Sequence, residues 1–200
     1  MRIVVVGATG TIGAAAVRAL ASRHEVLGVS RHSNPRLDIE DPPTIDAFFR
    51  GLTGIDAIVC CAGGAAFKPL AQLTDEDFAQ SLRSKLMGQV HLTRTALARL
   101  NAGGSITLTS GVLAQKPLAG GAAYALVNAA VEGFGRAAAL EATRGVRVNV
   151  VSPPWVSETL EKMKMPPQEG SLPAADVAKA YVAAVEGRHH GETLSPAGFV

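Results

Sequence analysis

The sequence has little of what would tie it to several large classes of protein. Only 2 of its 200 residues are cysteine. These are the adjacent Cys60 and Cys61, in a stretch that reads as a buried strand. Successive strand side chains face opposite ways, so the pair is poorly placed to bond to itself and reads as small core residues in a reducing compartment. Charge of one sign is scarce as well. Nineteen basic residues against 17 acidic ones leave a net charge of +2, with no basic stripe for nucleic acid. The most apolar long window, 120–140, carries Asn128, Glu132 and Arg136, so it reads as a buried helix and not a membrane span. No cationic leader followed by an apolar segment precedes the first core-like run, and the expected location is the cytoplasm. His189 and His190 have no third ligand close in sequence, so no metal site is expected. Internal repeats, low-complexity tails and linkers are missing too. With 48% hydrophobic residues the chain can bury a full core, and 1–200 is read as one domain.

What is present is organised around residues 2–20, RIVVVGATGTIGAAAVRAL. Ile3 to Val6 is a β-branched run, too short for a helix core and apolar throughout, as in a strand buried on both faces of a parallel sheet. A loop with Gly7, Thr9, Gly10, Thr11, Ile12 and Gly13 leads straight into an alanine-rich helix beginning near Thr11. The first N–H groups of such a helix have no partner and point beyond the strand's carboxyl end, which makes a phosphate site. Gly7 allows the tight turn, Gly10 lets a pyrophosphate approach the backbone, and Gly13 lets helix and strand pack closely. A plain strand-to-helix turn would use the same glycines, but the strand before and the helix after favour a nucleotide.

Further strands are predicted at Glu25–Val29, Arg36–Ile39, Ile55–Cys61, Ser105–Thr109, Val146–Ser152 and Glu192–Leu194. Helices are predicted at Pro43–Gly51, from Thr74 to about Leu100, from Ala122 to about Arg144, and at Pro173–Glu186. This alternation predicts an α/β fold: a single doubly wound parallel sheet of about seven strands with helices on both faces, the Rossmann fold. The ligand cleft then lies at the carboxyl ends of the first and fourth of these strands. No carboxylate follows the second strand. An acidic residue there would bind a ribose 2'-hydroxyl, whereas the hydroxyl of Ser30 and the guanidinium of Arg31 suit a 2'-phosphate. That choice points to NADP(H), the alternative being an ordinary exposed loop arginine.

Several segments resemble the short-chain dehydrogenase/reductase family, over essentially all 200 residues. They are the Gly-x-x-Gly-x-x-Gly spacing, Asp38-Ile39, Ala62-Gly63, Ser84-Lys85-Leu86-Met87-Gly88, Ser110 with Tyr124, and Arg147-Val148-Asn149 with Ser152-Pro153. The resemblance implies hydride transfer between a nicotinamide and a carbonyl or alcohol carbon. It places Asp38 and Ile39 beside the adenine, and Ala62 and Gly63 close to the cofactor, with Cys60 and Cys61 standing where the family has two asparagines. Pro153, Val156 and Ser157 or Thr159 then fall near the nicotinamide carboxamide or the phosphates, with Pro154 in place of a glycine.

Ser110 would polarise the substrate oxygen and Tyr124 would serve as acid or base. The family's serine, usually thirteen residues before the tyrosine, falls on Gly111, so using Ser110 requires one extra loop residue between Ala114 and Gly121. The catalytic lysine and asparagine are exchanged: Lys85 stands at the asparagine position, and Asn128, four residues past Tyr124, at the lysine position. A free phenol titrates near about 10, so a cation beside Tyr124 is needed at neutral pH. Lys85 would supply it, leaving Asn128 to bond the nicotinamide ribose; otherwise Lys85 points to solvent and the site is degenerate.

Three functions follow: an NADP(H)-dependent oxidoreductase acting on a small carbonyl or alcohol, a nonenzymatic NADP(H)-binding sensor or structural protein, and a cofactor-assisted epimerase or isomerase. Trp155, Leu160, Met163 and Met165 are expected to make the substrate cleft small and mostly apolar. The resemblance also implies a homodimer or homotetramer paired through the helices around Lys85 and Tyr124.

Overall fold

The computed structural model describes residues 1–200. Six strands, β1 (Arg2–Val6), β2 (Glu25–Val29), β3 (Ile55–Cys60), β4 (Leu100–Thr109), β5 (Arg147–Val151) and β6 (Thr193–Leu194), form one sheet in the order β2-β1-β3-β4-β5-β6. Every pairing is parallel. Around it lie α1 (Thr11–Ala21), α2 (Pro42–Arg50), α3 (Asp75–Ser81), α4 (Gly88–Leu97), α5 (Ala122–Glu141), α6 (Ser157–Lys162) and α7 (Ala174–Glu186). Strand alternation divides the core in two. Val4, Val6, Ile58, Ile106 and Val148 pack toward α2, α4 and α5. Ile3, Val5, Ala57 and Val59 pack toward α1 and α7, where Tyr181 is fully buried. The strands that follow β1 leave it on opposite sides, so the cleft opens at the carboxyl ends of β1 and β3.

The expected strand at Arg36–Ile39 is not one; it meets the sheet only through a single bridge from Arg36 to Ser30. The Leu37 N–H still donates to the Ser30 carbonyl at 3.1 Å, but beyond it the backbone turns to side chains. The Asp38 N–H donates to Thr44 Oγ1 at 3.0 Å, and Asp38 Oδ1 accepts from the Glu40 N–H at 3.1 Å. Leu37 and Ile39 are nevertheless buried, and this apolar alternation is what resembles a strand.

The helix expected from Thr74 starts as its sequence dictates. Thr74 Oγ1 accepts from the Asp77 N–H, and Asp77 Oδ2 accepts from the Thr74 N–H, a capping box. It does not run on unbroken, because Leu82–Met87 is a π-helical segment between α3 and α4. Widening a helix frees carbonyls, and the Gln89 amide repairs this one, donating to the Lys85 carbonyl and to the Thr109 carbonyl at 2.9 Å each. Gln89 Oε1 accepts from the Thr109 N–H, so the π segment is tied to the end of β4. No helix is long and apolar enough to cross a membrane.

Candidate active site

The β1–α1 turn is built on close approach. Gly7 has φ +82°, a left-handed conformation, and a Cβ on it would stand 2.9 Å from the Ala62 nitrogen. A Cβ on Gly13 would overlap the Gly7 carbonyl. Gly13 therefore packs helix on turn and does not line the cleft. Gly7, Thr9 and Gly10 do line it, in a cavity of about 420 Å³ that also takes in Ser30, Arg31, Asp38, Ile39, Ala62 and Gly63. Ser30 Oγ accepts from the His32 N–H at 3.2 Å and keeps its own proton. The Arg31 guanidinium is exposed and makes no hydrogen bond or ion pair within the protein. Glu40, on the same wall, is held back by Ser84 Oγ at 2.9 Å and Gln80 Nε2 at 2.8 Å. The Thr11 hydroxyl is engaged elsewhere, accepting from Lys162 Nζ at 2.7 Å, which ties α6 to the start of α1.

A second cavity of about 250 Å³ adjoins the first, with Cys61 and Gly63 lining both. It gathers Ile12, Lys85, Ser110, Tyr124, Asn128, Pro153, Val156 and Thr159. Trp155 and Met163 are in its wall, whereas Leu160 is buried at 2% exposure and Met165 is not in the lining. Phe67, which the sequence reading missed, is also there. Its ring stands edge-on to Trp155 (6.0 Å between centroids) and to Tyr124 (6.4 Å), so the mouth is aromatic on three sides.

Lys85 is 6% exposed and its ammonium has no hydrogen-bond partner in the protein. Burial pushes its pKa down from 10.5 to about 8, while the thiols of Cys60 and Cys61 favour the charged form. Those thiols are themselves pushed up by burial, to about 11 and about 12. The Lys85 backbone sits directly on Gly63, where φ is +107° and a Cβ would come within 2.9 Å of the Lys85 Cα. Gly63 is thus shaped for the π segment as much as for any ligand. Asn128 is 2% exposed and its Oδ1 is a buried acceptor with no partner. Its Nδ2 lies where a Cβ of Gly111 would be, at 2.9 Å. Lys85 and Asn128 share the cavity with Tyr124, though no direct hydrogen bond joins the lysine to either.

Ser110 is placed differently from the expectation. Its hydroxyl donates to Glu132 Oε1 at 2.8 Å, and Gln115 Nε2 donates to Glu132 Oε2. Glu132 is 7% exposed, and sequence reading saw it only as a charge within an apolar helix. The spacing Tyr124, Asn128, Glu132 is a four-residue step taken twice, which puts all three on one face of α5. Beneath the floor, Thr109 Oγ1 donates to the Cys60 carbonyl, so the Tyr181 hydroxyl at 2.7 Å must be the donor to Thr109.

A parallel, doubly wound sheet with a glycine turn at its switch point and a tyrosine, a buried lysine and a buried asparagine in one cleft defines a Rossmann-type α/β protein. A sequence model described as enoyl-(acyl carrier protein) reductase matches residues 2–185. The chain belongs to the short-chain dehydrogenase/reductase family. Hydroxynaphthalene reductase arp2 of Aspergillus fumigatus is 34% identical over 107 residues, which are 53% of this chain and 39% of that protein. The chain thus spans less than half the length of this curated relative. Among solved structures, the protein lin1944 from Listeria innocua is 39% identical with a TM-score of 0.93, and the match covers 98% of each chain. A small-chain dehydrogenase in complex with NADPH is 27% identical with a TM-score of 0.85, covering 98% of this chain and 95% of the other.

Proposed function

We propose that this chain is an NADP(H)-dependent oxidoreductase that transfers a hydride between the nicotinamide and a small, mostly apolar carbonyl or alcohol. The observation that carries the reading is the Lys85 ammonium, borne on a buried residue and without a partner in the protein, in the same cavity as Tyr124 and the buried, unpartnered Asn128 Oδ1. An NADPH complex of a similar dehydrogenase supports the choice of cofactor. So do the glycine cradle, the free Ser30 proton and the free Arg31 guanidinium, which fit a pyrophosphate and a 2'-phosphate. When bound, the cofactor supplies or takes up the hydride.

The remaining work falls to the protein. Phe67, Trp155 and Met163 exclude water from the substrate and leave room for an apolar group. In the reductive direction Tyr124 gives its phenolic proton to the carbonyl oxygen as negative charge develops there. The Lys85 ammonium, brought in from the π segment and not from α5, stabilises the phenolate left behind and takes part in its reprotonation. Asn128 Oδ1 accepts from a ribose hydroxyl, satisfying an acceptor that the protein itself leaves open. Because the Ser110 proton is given to Glu132, Ser110 acts as a positioning residue on the wall below Tyr124, and carbonyl polarisation rests on Tyr124 with the charge behind it.

A second reading, a catalytically degenerate NADP(H)-binding sensor, draws on the same Ser110–Glu132 bond and on the glycine at position 111. No feature of the site favours an epimerase. NADPH oxidation against a panel of aldehydes, ketones and quinones separates the first two. The enzyme reading expects turnover that falls at least about a hundredfold in both Tyr124→Phe and Lys85→Met, in the range of lost acid–base catalysis, with NADPH binding largely kept. Tight NADPH binding without turnover on any carbonyl would leave the sensor reading, and full turnover in Lys85→Met would remove the role given to the lysine.

A further inference from the structure

The two cavities of the cleft adjoin along the start of α1. Gly10 lines the first and Ile12 the second, so Thr11, between them in the chain, sits at the seam. A dinucleotide laid through both cavities has its pyrophosphate at that seam, because the pyrophosphate joins the adenosine half to the nicotinamide half. The backbone there is prepared for it. α1 makes its first helical bond from the Ala14 N–H to the Gly10 carbonyl, which leaves the N–H groups of Thr11, Ile12 and Gly13 without a partner. No side chain caps them, and the first turn holds no acidic residue.

A cation stands at the same place. Lys162, the last residue of α6, donates from Nζ to Thr11 Oγ1 at 2.7 Å. That hydroxyl is neutral, and the ammonium makes no ion pair with any carboxylate. Glu158, one turn earlier on α6, is turned away, both of its oxygens accepting from the Ala174 N–H. Thr159 and Met163 line the second cavity, so Lys162 is carried by the same segment that walls the substrate side. The start of a helix is the positive end of its dipole, where an ammonium meets charge of its own sign. The position becomes favourable once an anion lies between the lysine and the open N–H groups. A pyrophosphate fits this donor set, since each of its phosphates accepts charge-assisted hydrogen bonds.

We propose that Lys162 is a pyrophosphate-binding residue for NADP(H), passing its ammonium from the Thr11 hydroxyl to a phosphate oxygen when the cofactor enters. The proposal rests on the NADP(H) assignment. It gives Lys162 the part that NADPH and NADH share, whereas Arg31 is given the 2'-phosphate that only NADPH carries. Binding to the whole chain tests it, with NADPH titrated by its own fluorescence and NADH by displacement of NADPH. Lys162→Met should weaken both dinucleotides about tenfold, the loss of one charge-assisted contact. Lys162→Arg keeps the charge and should recover most of that loss. Added salt should weaken NADH binding more steeply in the parent than in Lys162→Met, because screening acts on the charged contact that the variant lacks. A mere structural tie between α6 and α1 would not change that slope. The side chain is exposed, so these variants should fold, which circular dichroism checks. The proposal fails if Lys162→Met binds both dinucleotides as the parent does, or if the Met and Arg variants lose equally with the same salt slope as the parent. It fails too if NADPH alone is weakened, which would put the ammonium on the 2'-phosphate. A parent chain that bound neither dinucleotide would overturn the cofactor assignment itself, a result distinct from all of these.

Discussion

Replacing Lys85 by methionine should make the protein more stable while making it a worse catalyst. The side chain is 6% exposed, its ammonium has no partner, and burial holds its pKa near 8 instead of 10.5. Each pH unit between the free and folded values is worth about 1.36 kcal/mol, so the charged form costs the folded chain about 3 kcal/mol. Below pH 8 both folded and unfolded chains hold the proton, and the cost is present in full. Between about 8 and 10.5 the folded chain releases its proton first, the unfolded chain binds more, and stability rises with pH. Above that window the cost is gone. Methionine has a stem of similar length and no charge, so Lys85→Met should gain about 3 kcal/mol at pH 7, about 6 to 12 °C in Tm for a chain of this size. The gain should fade through the window. Cys60 and Cys61, whose buried thiols are pushed up to about 11 and about 12, also make the folded chain titrate differently from the unfolded one in this window, but they are common to parent and variant and cancel in the difference between the two. Urea or thermal melts of cofactor-free protein from pH 7 to 10.5 provide the measurement. A variant no more stable than the parent at pH 7, or an advantage that stays constant through the window, would refute the burial argument.

On the proposed pairing of the free Arg31 guanidinium with the 2'-phosphate, Arg31→Ala should weaken NADPH binding much more than NADH binding; equal weakening in a fluorescence titration would show that Arg31 does not read it. Ser110→Ala should cost about 1–3 kcal/mol of stability by leaving Glu132 short of a donor, yet lower turnover far less than Tyr124→Phe; an equal loss of turnover would return the polarising role to Ser110. A homodimer or homotetramer is expected, because Leu126 (45% exposed) and Leu140 (89%) on α5 and Met87 (39%) in the π segment are large apolar side chains left in solvent on the two elements expected to pair. Light scattering that found a monomer at micromolar concentration would remove that expectation.

The strands and helices were legible because their burial is periodic. Ile3–Val6 and Ala57–Cys60 are apolar at every position since both faces of the sheet are covered, and Thr74 with Asp77 writes its capping box into the chain. The same signal misleads at Arg36–Ile39, where Leu37 and Ile39 alternate inward but pairing stops after a single bridge at Ser30, and the Asp38 N–H goes to Thr44 Oγ1. The π segment left no mark. Shifting a few hydrogen bonds by one residue changes neither composition nor period, and its repair by Gln89 joins groups twenty residues apart. Glu132 was readable from its spacing to Tyr124 and Asn128. Its partner Gln115 was not, because it comes from a loop. Nor could sequence show that Lys162 meets Thr11, since only the folding of α6 against the start of α1 brings them together.

The proposed roles of Lys85 and Asn128 involve a second pair of residues, on which the two pack. Lys85 rests on Gly63 and Asn128 rests on Gly111, and in each case an added Cβ would approach to 2.9 Å. The two contacts differ in kind. At Gly63 the obstacle is the Lys85 Cα, a backbone atom of a π segment held in place by Gln89, and the positive φ already disfavours any other residue. At Gly111 the obstacle is the end of the Asn128 side chain, which can rotate away. Gly63 therefore lets the Lys85 backbone approach closely, while Gly111 leaves the Asn128 amide space that a side chain at 111 would claim. A serine at 111 would have to displace that amide from its present position, whereas the hydroxyl one residue earlier, at Ser110, is turned toward Glu132. The glycine at 111 and the lysine at 85 thus belong to one arrangement, in which an ammonium enters the cavity from a π segment tied down by Gln89 and Asn128 keeps an acceptor without a partner.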